Sequence, residues 1–228
     1  MKSGTLLAML SLFTFASSAI AFVVNVDCQY NNDEYGHVTF EGTAAVPDSG
    51  TYWNQLSLVA GELIDAVASD GSTPTAVDIT AENTVGAYHQ DNNANDLLDD
   101  YWFDNTVVAK NITISGLLPS TGYTLYMYGN ETNTGGVSEG CTFTFGGLTQ
   151  TALGAAAVPI PPNPWVLGND HVIFTLTSDA SGQIVGTYGG DSAYNRWNGM
   201  QIVGVVPEPA TMCLLGLGAL GLLRKKRS

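Results

Sequence analysis

Positively charged side chains are scarce in this chain of 228 residues, which has 7 lysines and arginines against 21 aspartates and glutamates. Between residues 22 and 206 there are 20 acidic residues, and the only basic ones are Lys110 and Arg196. A surface of this charge repels phosphate backbones and anionic lipid head groups, so it excludes nucleic-acid binding. The acidity suits solubility outside the cell, attraction of divalent cations or binding of neutral glycans. Adaptation to saline surroundings, with no binding site, is the alternative.

Histidine and cysteine are also rare, with 3 residues of each. The histidines, at His37, His89 and His171, are scattered along the chain, so the sequence does not predict a zinc centre. Helical periodicity is weak as well. It is visible only at residues 58–68, which lack a convincing helix cap.

The N-terminus has the layout of a secretory signal peptide. Lys2 precedes an apolar stretch without further charge that runs through Ile20, and Ala19-Ile20-Ala21 supplies a cleavage site of the A-x-A type. We therefore assign residues 1–21 to a signal peptide. Residues 22–206 are expected to form one exported domain, which is long enough for a substantial core.

The C-terminus combines three features in order. Pro207-Glu208-Pro209 is followed by an apolar run at residues 210–223 and then by four adjacent cations at 224–227. As a helix the run would be about 21 Å long, against roughly 30 Å of bilayer hydrocarbon, and the cations would stay cytoplasmic. This layout resembles the PEP-CTERM sorting signal of Gram-negative bacteria, to which we assign residues 207–228.

The resemblance implies a route and a set of partners. In that family a membrane protease, the exosortase, recognises the Pro-Glu-Pro element and removes the helix and tail. Pro207, Glu208 and Pro209 are therefore the expected processing residues. The resemblance also implies a transient inner-membrane intermediate held by the C-terminal helix, followed by delivery to the cell surface or the extracellular matrix and association with exopolysaccharide.

The body of the chain alternates apolar and polar residues with a period of two, which is typical of half-buried β-strands. This pattern predicts strands at residues 111–114, 122–128, 141–145, 171–177, 183–188 and 199–203. The turn residues at 179–182 predict a hairpin between the fourth and fifth of these strands. Short strands, many glycines and little helix predict an all-β fold, specifically an antiparallel β-sandwich.

The body also resembles, more loosely, the single-domain proteins that often carry this sorting signal. The resemblance rests on Tyr52-Trp53-Asn54, on residues 97–101, on the stretch from Ile114 to Tyr126, and on residues 197–203. These strand-and-turn patterns imply a jelly-roll-like sandwich rather than an activity.

Residues 91–100 contain the densest cluster of hard oxygen ligands in the sequence. Asp91, Asn93 and Asn95 follow the D-x-N-x-N spacing of a calcium loop, and Asp96 comes next. The loop then departs from the EF-hand pattern, which has glycine at the sixth position and glutamate at the twelfth. Calcium is the one cofactor that the sequence suggests, and a solvated acidic turn is the alternative.

Four tryptophans, Trp53, Trp102, Trp165 and Trp197, are candidates for stacking on sugar rings. Trp165 follows a proline-rich stretch at 159–164 that would present it to solvent. The alternative for each ring is a place in the sandwich core, which large aromatic side chains commonly fill.

Residues 136–140 match the G-x-S-x-G motif of hydrolases, and Asp170 and His171 follow in the order of a catalytic triad. That motif requires a strand before the serine and a helix after it, whereas here a polar loop precedes Ser138 and a predicted strand follows. We therefore do not expect Ser138 to be catalytic, and the preferred interpretation is a protein that is not an enzyme.

Export would place Cys28 and Cys141 in an oxidising compartment, where a disulfide between them is expected. Two separate buried thiols are the alternative.

Three functions follow, in order of preference. The first is an exported, C-terminally sorted, non-catalytic protein of the cell surface or matrix that associates with exopolysaccharide. The second is a carbohydrate-binding module with a defined glycan site, and the third is a secreted glycan-active enzyme.

Overall fold

The computed structural model describes residues 20–29, 40–46, 50–82, 86–89, 96–104, 106–131, 139–154, 165–190 and 195–206. Strands dominate these ranges, and a single helical turn, α1 (Asp96–Asp99), lies among them. The strands are β1 (Ile20–Gln29), β2 (Asn54–Ser57), β3 (Glu62–Leu63), β4 (Asp78–Ala81), β5 (Gly86–His89), β6 (Asp100–Asp104), β7 (Lys110–Ser115), β8 (Gly122–Tyr128), β9 (Asn130–Glu131), β10 (Glu139–Phe145), β11 (Leu148–Ala152), β12 (His171–Thr177), β13 (Ile184–Tyr188), β14 (Asn195–Trp197) and β15 (Gly199–Val206).

The strands form where apolar and polar residues alternate. In β8, Tyr123, Leu125 and Met127 are buried, whereas Thr124 and Tyr126 between them are partly exposed. Because successive side chains of a strand point to opposite faces, this alternation buries one face of the sheet in the core and leaves Thr124 and Tyr126 on the opposite face. The predicted strand at 122–128 is confirmed, and so are those at 171–177 and 199–203.

Two large sheets pack against a shared hydrophobic core. The first has five strands in the order β12-β8-β15-β1-β2, and the second has the order β11-β10-β13-β7-β4-β3, with β9 also paired to β10. Val26 of the first sheet and Phe143 of the second belong to the same buried cluster. A smaller sheet has the order β14-β6-β5. The all-β prediction is confirmed, and the two packed sheets are compatible with a jelly-roll-like sandwich.

The strand pairing departs from the predicted antiparallel arrangement between the first two strands. β1 and β2 run parallel, with Val26 opposite Asn54 and Cys28 opposite Leu56. Parallel neighbours require a long connection between them, and residues 30–53 provide it. Part of that connection, residues 40–46, lies on the outer side of the five-stranded sheet, as the contacts described below show.

The hairpin predicted between residues 171–177 and 183–188 is wrong. β12 pairs with β8 in the five-stranded sheet, whereas β13 pairs with β7 and β10 in the other sheet. The turn itself forms as its residues suggest: Asp179 Oδ1 accepts the N–H groups of Ser181 (2.8 Å) and Gln183 (2.9 Å). The turn therefore carries the chain from one sheet to the other.

Residues Ala21–Val206 form one compact unit. Among the described residues, no helix is long and apolar enough to cross a bilayer. The segments assigned to the signal peptide and to the sorting signal lie outside the described residues, except for Ile20 and Ala21, the first two residues of β1.

Candidate functional site

The outer face of the five-stranded sheet carries buried polar side chains. In β1, Val24, Val26 and Cys28 point into the core, so the residues between them point to the opposite face. Side chains of β8, β12 and β15 share that face, because residues paired across strands point to the same side. We name this set the polar row; it consists of Asn25, Asp27, Gln29, Tyr128, His171 and Gln201, all of which are buried.

A segment of irregular backbone at residues 40–46, which we name the strap, covers the polar row. Side chains of the row accept hydrogen bonds from the strap's backbone: Phe40 N–H donates to Asp27 Oδ2 (2.9 Å), Ala45 N–H to the Tyr128 hydroxyl (2.8 Å) and Val46 N–H to Gln201 Oε1 (3.2 Å). Buried backbone amides need such acceptors, and here side chains supply what a neighbouring strand would supply in a sheet. The polar row therefore holds the strap in place.

Gln201 lies at the centre of these contacts. Its Oε1 accepts the Tyr128 hydroxyl as well as the Val46 amide, and its Nε2 donates to Asn25 Oδ1 (2.8 Å). Asn25 Nδ2 in turn donates to the carbonyl of Tyr52 (2.9 Å). Burial raises the pKa of Tyr128 far above its usual range, so this hydroxyl keeps its proton and remains a donor.

Aromatic rings fix the strap from its sides. The Trp53 ring lies edge-on to Phe40 (centroids 5.1 Å apart), and its Nε1–H donates to the carbonyl of Gly42 (3.0 Å). The Trp165 ring lies edge-on to Tyr128 (5.1 Å), and its Nε1–H donates to the carbonyl of Thr43 (3.4 Å). Both indoles thus bind the strap's backbone.

A cleft of about 700 Å³ opens beside the strap. Trp53, which is buried, and the half-buried Phe40 contribute to its apolar lining, and Tyr52, 42% exposed, contributes a third aromatic ring. The carboxylates that line it, within the described part of the chain, are those of Glu41 and Asp70, both exposed. The cleft combines an aromatic surface with negative charge.

Asp70 is locked into a turn. Its Oδ1 accepts the N–H groups of Ser72 and Thr73 (2.8 Å each), and its Oδ2 accepts the Thr73 hydroxyl (2.6 Å). The bonds from Thr73, followed by the bond from Ser72, lower the pKa of Asp70 to about 2. The carboxylate therefore remains charged at any physiological pH, and it orients the turn that carries Gly71 against the Tyr52 ring.

The structure corrects the glycan-stacking prediction for Trp102 and Trp197. Both rings are 0% exposed and lie edge to face, 5.4 Å apart, inside the core. They are register partners across β6 and β14, so strand pairing directs both toward the same packed interior. Neither ring can meet a sugar. Trp53 is 3% exposed, so its ring is buried as well and offers no open face to a sugar, although it lines the cleft. Trp165 is half-buried and lies against Tyr128, so stacking on this ring stays a prediction.

Several predicted site residues lie outside the described residues. These are Asp91, Asn93 and Asn95 of the calcium loop, the side chain of Asp96, the processing residues Pro207, Glu208 and Pro209, and Ser138 of the dismissed hydrolase motif. Within the described part of the chain, no three His, Cys, Asp or Glu side chains come together as a metal site would require. The calcium loop stays a prediction.

Asp170 is held by hydrogen bonds and His171 by ring contacts within the fold. The Asp170 carboxylate is buried and accepts hydrogen bonds from Asn130 Nδ2 (2.8 Å), Asn169 Nδ2 (2.9 Å) and the Val166 amide (2.8 Å). The His171 ring stacks on Tyr126, with centroids 6.0 Å apart. Burial lowers the pKa of His171 more than the neighbouring Asp170 raises it, so the imidazole is neutral near physiological pH.

Cys28 and Cys141 come from opposite sheets and share the same core cluster. Both are buried thiols in this structure rather than the two halves of a disulfide. Burial, followed by the charge of Asp27 and the proximity of Cys141, raises the pKa of Cys28 well above its usual range. Of the two alternatives drawn from the sequence, the structure has the pair of buried thiols.

We expect the folded protein to resist alkylation of Cys28 and Cys141 by iodoacetamide, because thiolate is the reactive form and burial disfavours it. Both should take up label once the chain is unfolded in guanidinium without a reductant. Mass spectrometry of the labelled peptides measures this, with the Cys213 peptide identified separately. A non-reduced peptide that joins Cys28 to Cys141 would contradict the expectation.

Comparison with known sequences identifies the C-terminal segment. The model of the PEP-CTERM protein-sorting motif matches residues 205–227. No curated protein matches the chain.

Two solved structures show distant likeness. A plant receptor-like kinase, ANX2, is 11% identical with a TM-score of 0.39, over 56% of this chain and 40% of that chain. The Bacillus subtilis protein YXIM is 10% identical with a TM-score of 0.35, over 81% of this chain and 40% of that chain. This chain thus spans 40% of the length of each, and neither likeness bears on its function. What the comparisons and the fold establish together is a strand-rich body followed in sequence by a PEP-CTERM protein-sorting motif at residues 205–227.

Proposed function

We propose that this protein is a non-catalytic component of the cell surface or extracellular matrix that associates with exopolysaccharide. The observation that carries the proposal is the sorting motif at residues 205–227, which suggests export and C-terminal sorting by an exosortase-type membrane protease in a Gram-negative bacterium. Pro207-Glu208-Pro209 is the element that the protease would read, and the helix and basic tail would hold the intermediate in the inner membrane.

The body of the protein supports this role. Its 20 acidic residues against two basic ones, between residues 22 and 206, repel anionic lipid and favour solubility among neutral polysaccharides. Of its buried polar side chains, Asp27, Tyr128 and Gln201 hold the strap, and Asp170 holds the loop at Val166. These four side chains serve the architecture, which supports a binding or structural role.

We expect the Glu208→Ala variant to remain in the inner membrane with its C-terminal segment attached. Glu208 is the one charged residue between two rigid prolines, so its loss removes the feature that a protease can distinguish by charge. Fractionation and immunoblotting of expressing cells measure the outcome. Glu62→Ala, which removes an exposed carboxylate from the body, is the matched control and should be processed normally. Normal release of a shortened Glu208→Ala product would contradict the sorting assignment.

Association with exopolysaccharide can be measured separately, by following whether the processed chain is found in the matrix or in the medium. In cells that make the polysaccharide, the processed chain should sediment with the matrix. In cells in which polysaccharide synthesis is deleted, it should appear in the medium instead. An unchanged distribution between the two strains would contradict the association and leave the sorting assignment intact.

A further inference from the structure

We propose that the cleft beside the strap binds a segment of neutral polysaccharide, with Tyr52 as the ring on which a sugar stacks. This inference deepens the proposed function and rests on it for the class of ligand. Its structural basis is the cleft of about 700 Å³ lined by Phe40, Tyr52 and Trp53 together with Glu41, Thr51 and Gln55. That volume falls within the usual range for small-molecule sites, roughly 300–1,000 Å³.

The Tyr52 side chain is exposed, and hydrogen bonds fix its backbone. Its backbone N–H donates to the carbonyl of Ser69 (3.1 Å), and its own carbonyl accepts Asn25 Nδ2 from the polar row (2.9 Å). The ring lies beside Gly71, where an added Cβ would come within 3.3 Å of ring atom Cδ2. Because Tyr52, which is 42% exposed, lies on an anchored backbone, the binding of a ligand costs little backbone freedom at this residue.

The floor of the cleft is similarly fixed. Trp53 is buried, its Nε1–H is bound to the strap carbonyl of Gly42, and its ring contacts Phe40. Asn54 also lines the cleft, but its amide is bound to the carbonyls of Asn25 and Val67 and to the Val67 N–H. Asn54 therefore supports the cleft wall, and recognition falls to the more exposed Glu41, Thr51 and Tyr52.

The charged, polar and aromatic groups that line the cleft favour one class of ligand. Among the lining residues that the structure describes, the charged ones are Glu41 and Asp70, both acidic, so an anionic polysaccharide would be repelled. Sugar rings present C–H groups that pack on the electron-rich face of an aromatic ring, and their hydroxyls bond to carboxylates, hydroxyls and amides. Aromatic surface together with Glu41, Thr51 and Gln55 matches that combination. A cationic ligand would use the same aromatic and acidic groups, so the experiment includes one.

The test uses the full-length chain in a polyoxyethylene detergent, whose head group contains no sugar. Isothermal titration would measure binding of cellohexaose, laminarihexaose and mannohexaose as neutral probes, chitosan hexamer as the cationic probe and polygalacturonate as the anionic probe. We expect at least one neutral probe to bind and polygalacturonate not to bind. Tyr52→Ala should weaken neutral binding about tenfold or more, whereas Tyr52→Phe, which keeps the ring, should stay within about threefold of the wild type.

Two further variants separate the alternatives. Val185→Ala removes an exposed apolar side chain from β13 of the other sheet and should leave binding unchanged. Glu41→Gln keeps the size of the side chain and an oxygen that can accept a hydrogen bond but removes the charge, so neutral binding should weaken less than in Tyr52→Ala, whereas any binding driven by positive charge should be lost. Thermal melting of each variant checks that it is folded.

Three results would overturn the inference: no binding of any neutral probe by the wild type, equal neutral binding by Tyr52→Ala and the wild type, or binding of chitosan hexamer alone with loss in Glu41→Gln. None of these results alters the Glu208→Ala fractionation or the partition of the wild type between matrix and medium. A result that disproves sugar binding in the cleft would therefore leave the proposed surface or matrix role intact, and the two can be tested separately.

Discussion

Replacing Gln201 with leucine is expected to lower the free energy of unfolding by about 3 kcal/mol or more. The side chain is 0% exposed, and three groups depend on it: the Tyr128 hydroxyl, the Val46 N–H and Asn25 Oδ1. Leucine has a similar size but cannot bond any of them. Each buried polar group left without a partner costs about 1–3 kcal/mol, which sets the expected loss.

Gln150→Leu is the matched control, because it makes the same chemical change at a single hydrogen bond. Gln150 Nε2 donates to the carbonyl of Ile173 (2.6 Å) at a partly buried position, so the loss should be about 1 kcal/mol. Guanidinium titration of both variants measures the difference. Limited proteolysis would report whether the strap, residues 40–46, becomes accessible in Gln201→Leu. Equal losses in the two variants would show that the polar row does not hold the strap.

The strands could be predicted because the information that specifies them is local. β12, from His171 to Thr177, alternates Val172, Phe174 and Leu176 with residues that point the other way, and its observed bounds equal the predicted ones. Period-two alternation is imposed by the pleat of the strand itself, so it appears in the sequence wherever one face is buried.

The polar row could not be predicted in the same way. Asn25, Asp27 and Gln29 alternate with Val24, Val26 and Cys28, a pattern that indicates a strand with one solvated face. The structure buries that face under the strap, and it does so with backbone amides, which are present at every residue except proline and carry no sequence signal. Burial of a polar strand face depends on a segment distant in sequence, and this dependence is invisible to local patterns.

The incorrect hairpin illustrates the same limit. Asp179 and Gly182 have the turn chemistry expected of them, and Gly182 adopts a φ of 76°. Turn residues specify where a chain reverses but not which strand its next segment will join. β13 joins the seven-stranded sheet, where the pairs Ile184 with Ile114 and Tyr188 with Lys110 fix its register.

The aromatic residues show why the candidate site was only partly predictable. All four tryptophans are candidates for sugar stacking by residue type, and Trp165 stands out by its proline-rich loop, yet the other three are buried and the exposed ring in the cleft is a tyrosine. Exposure depends on which face of a strand a ring occupies and on what covers that face. Tyr52 follows a glycine and a threonine just ahead of β2, a position whose exposure becomes evident only when the turn at 70–73 is placed beside it.

Replacing Trp197 with alanine is expected to cost about 3–5 kcal/mol of unfolding free energy, the usual range for a fully buried tryptophan. Its ring is 0% exposed, lies edge-on to Trp102 and contacts Tyr188 with centroids 4.7 Å apart. Its Nε1–H donates to the carbonyl of Gly199 (3.0 Å), at the start of β15. The substitution thus removes a ring that joins the small sheet to the core and also leaves a buried carbonyl without that partner.

A double-mutant cycle with Trp102 tests whether the two rings act together. Trp102 is bound independently, through its Nε1–H to the carbonyl of Gln29 (2.8 Å), so it can remain in place when Trp197 is replaced by leucine, which has no ring. Edge-to-face pairs contribute about 0.5–1.5 kcal/mol beyond burial, and a coupling in that range between Trp102→Leu and Trp197→Leu is expected from chemical denaturation. Trp165→Ala, at a half-buried ring, should cost less than Trp197→Ala. If Trp197→Ala instead left stability unchanged and abolished binding of a neutral oligosaccharide, the ring would belong to a ligand site, and its assignment to the core would be wrong.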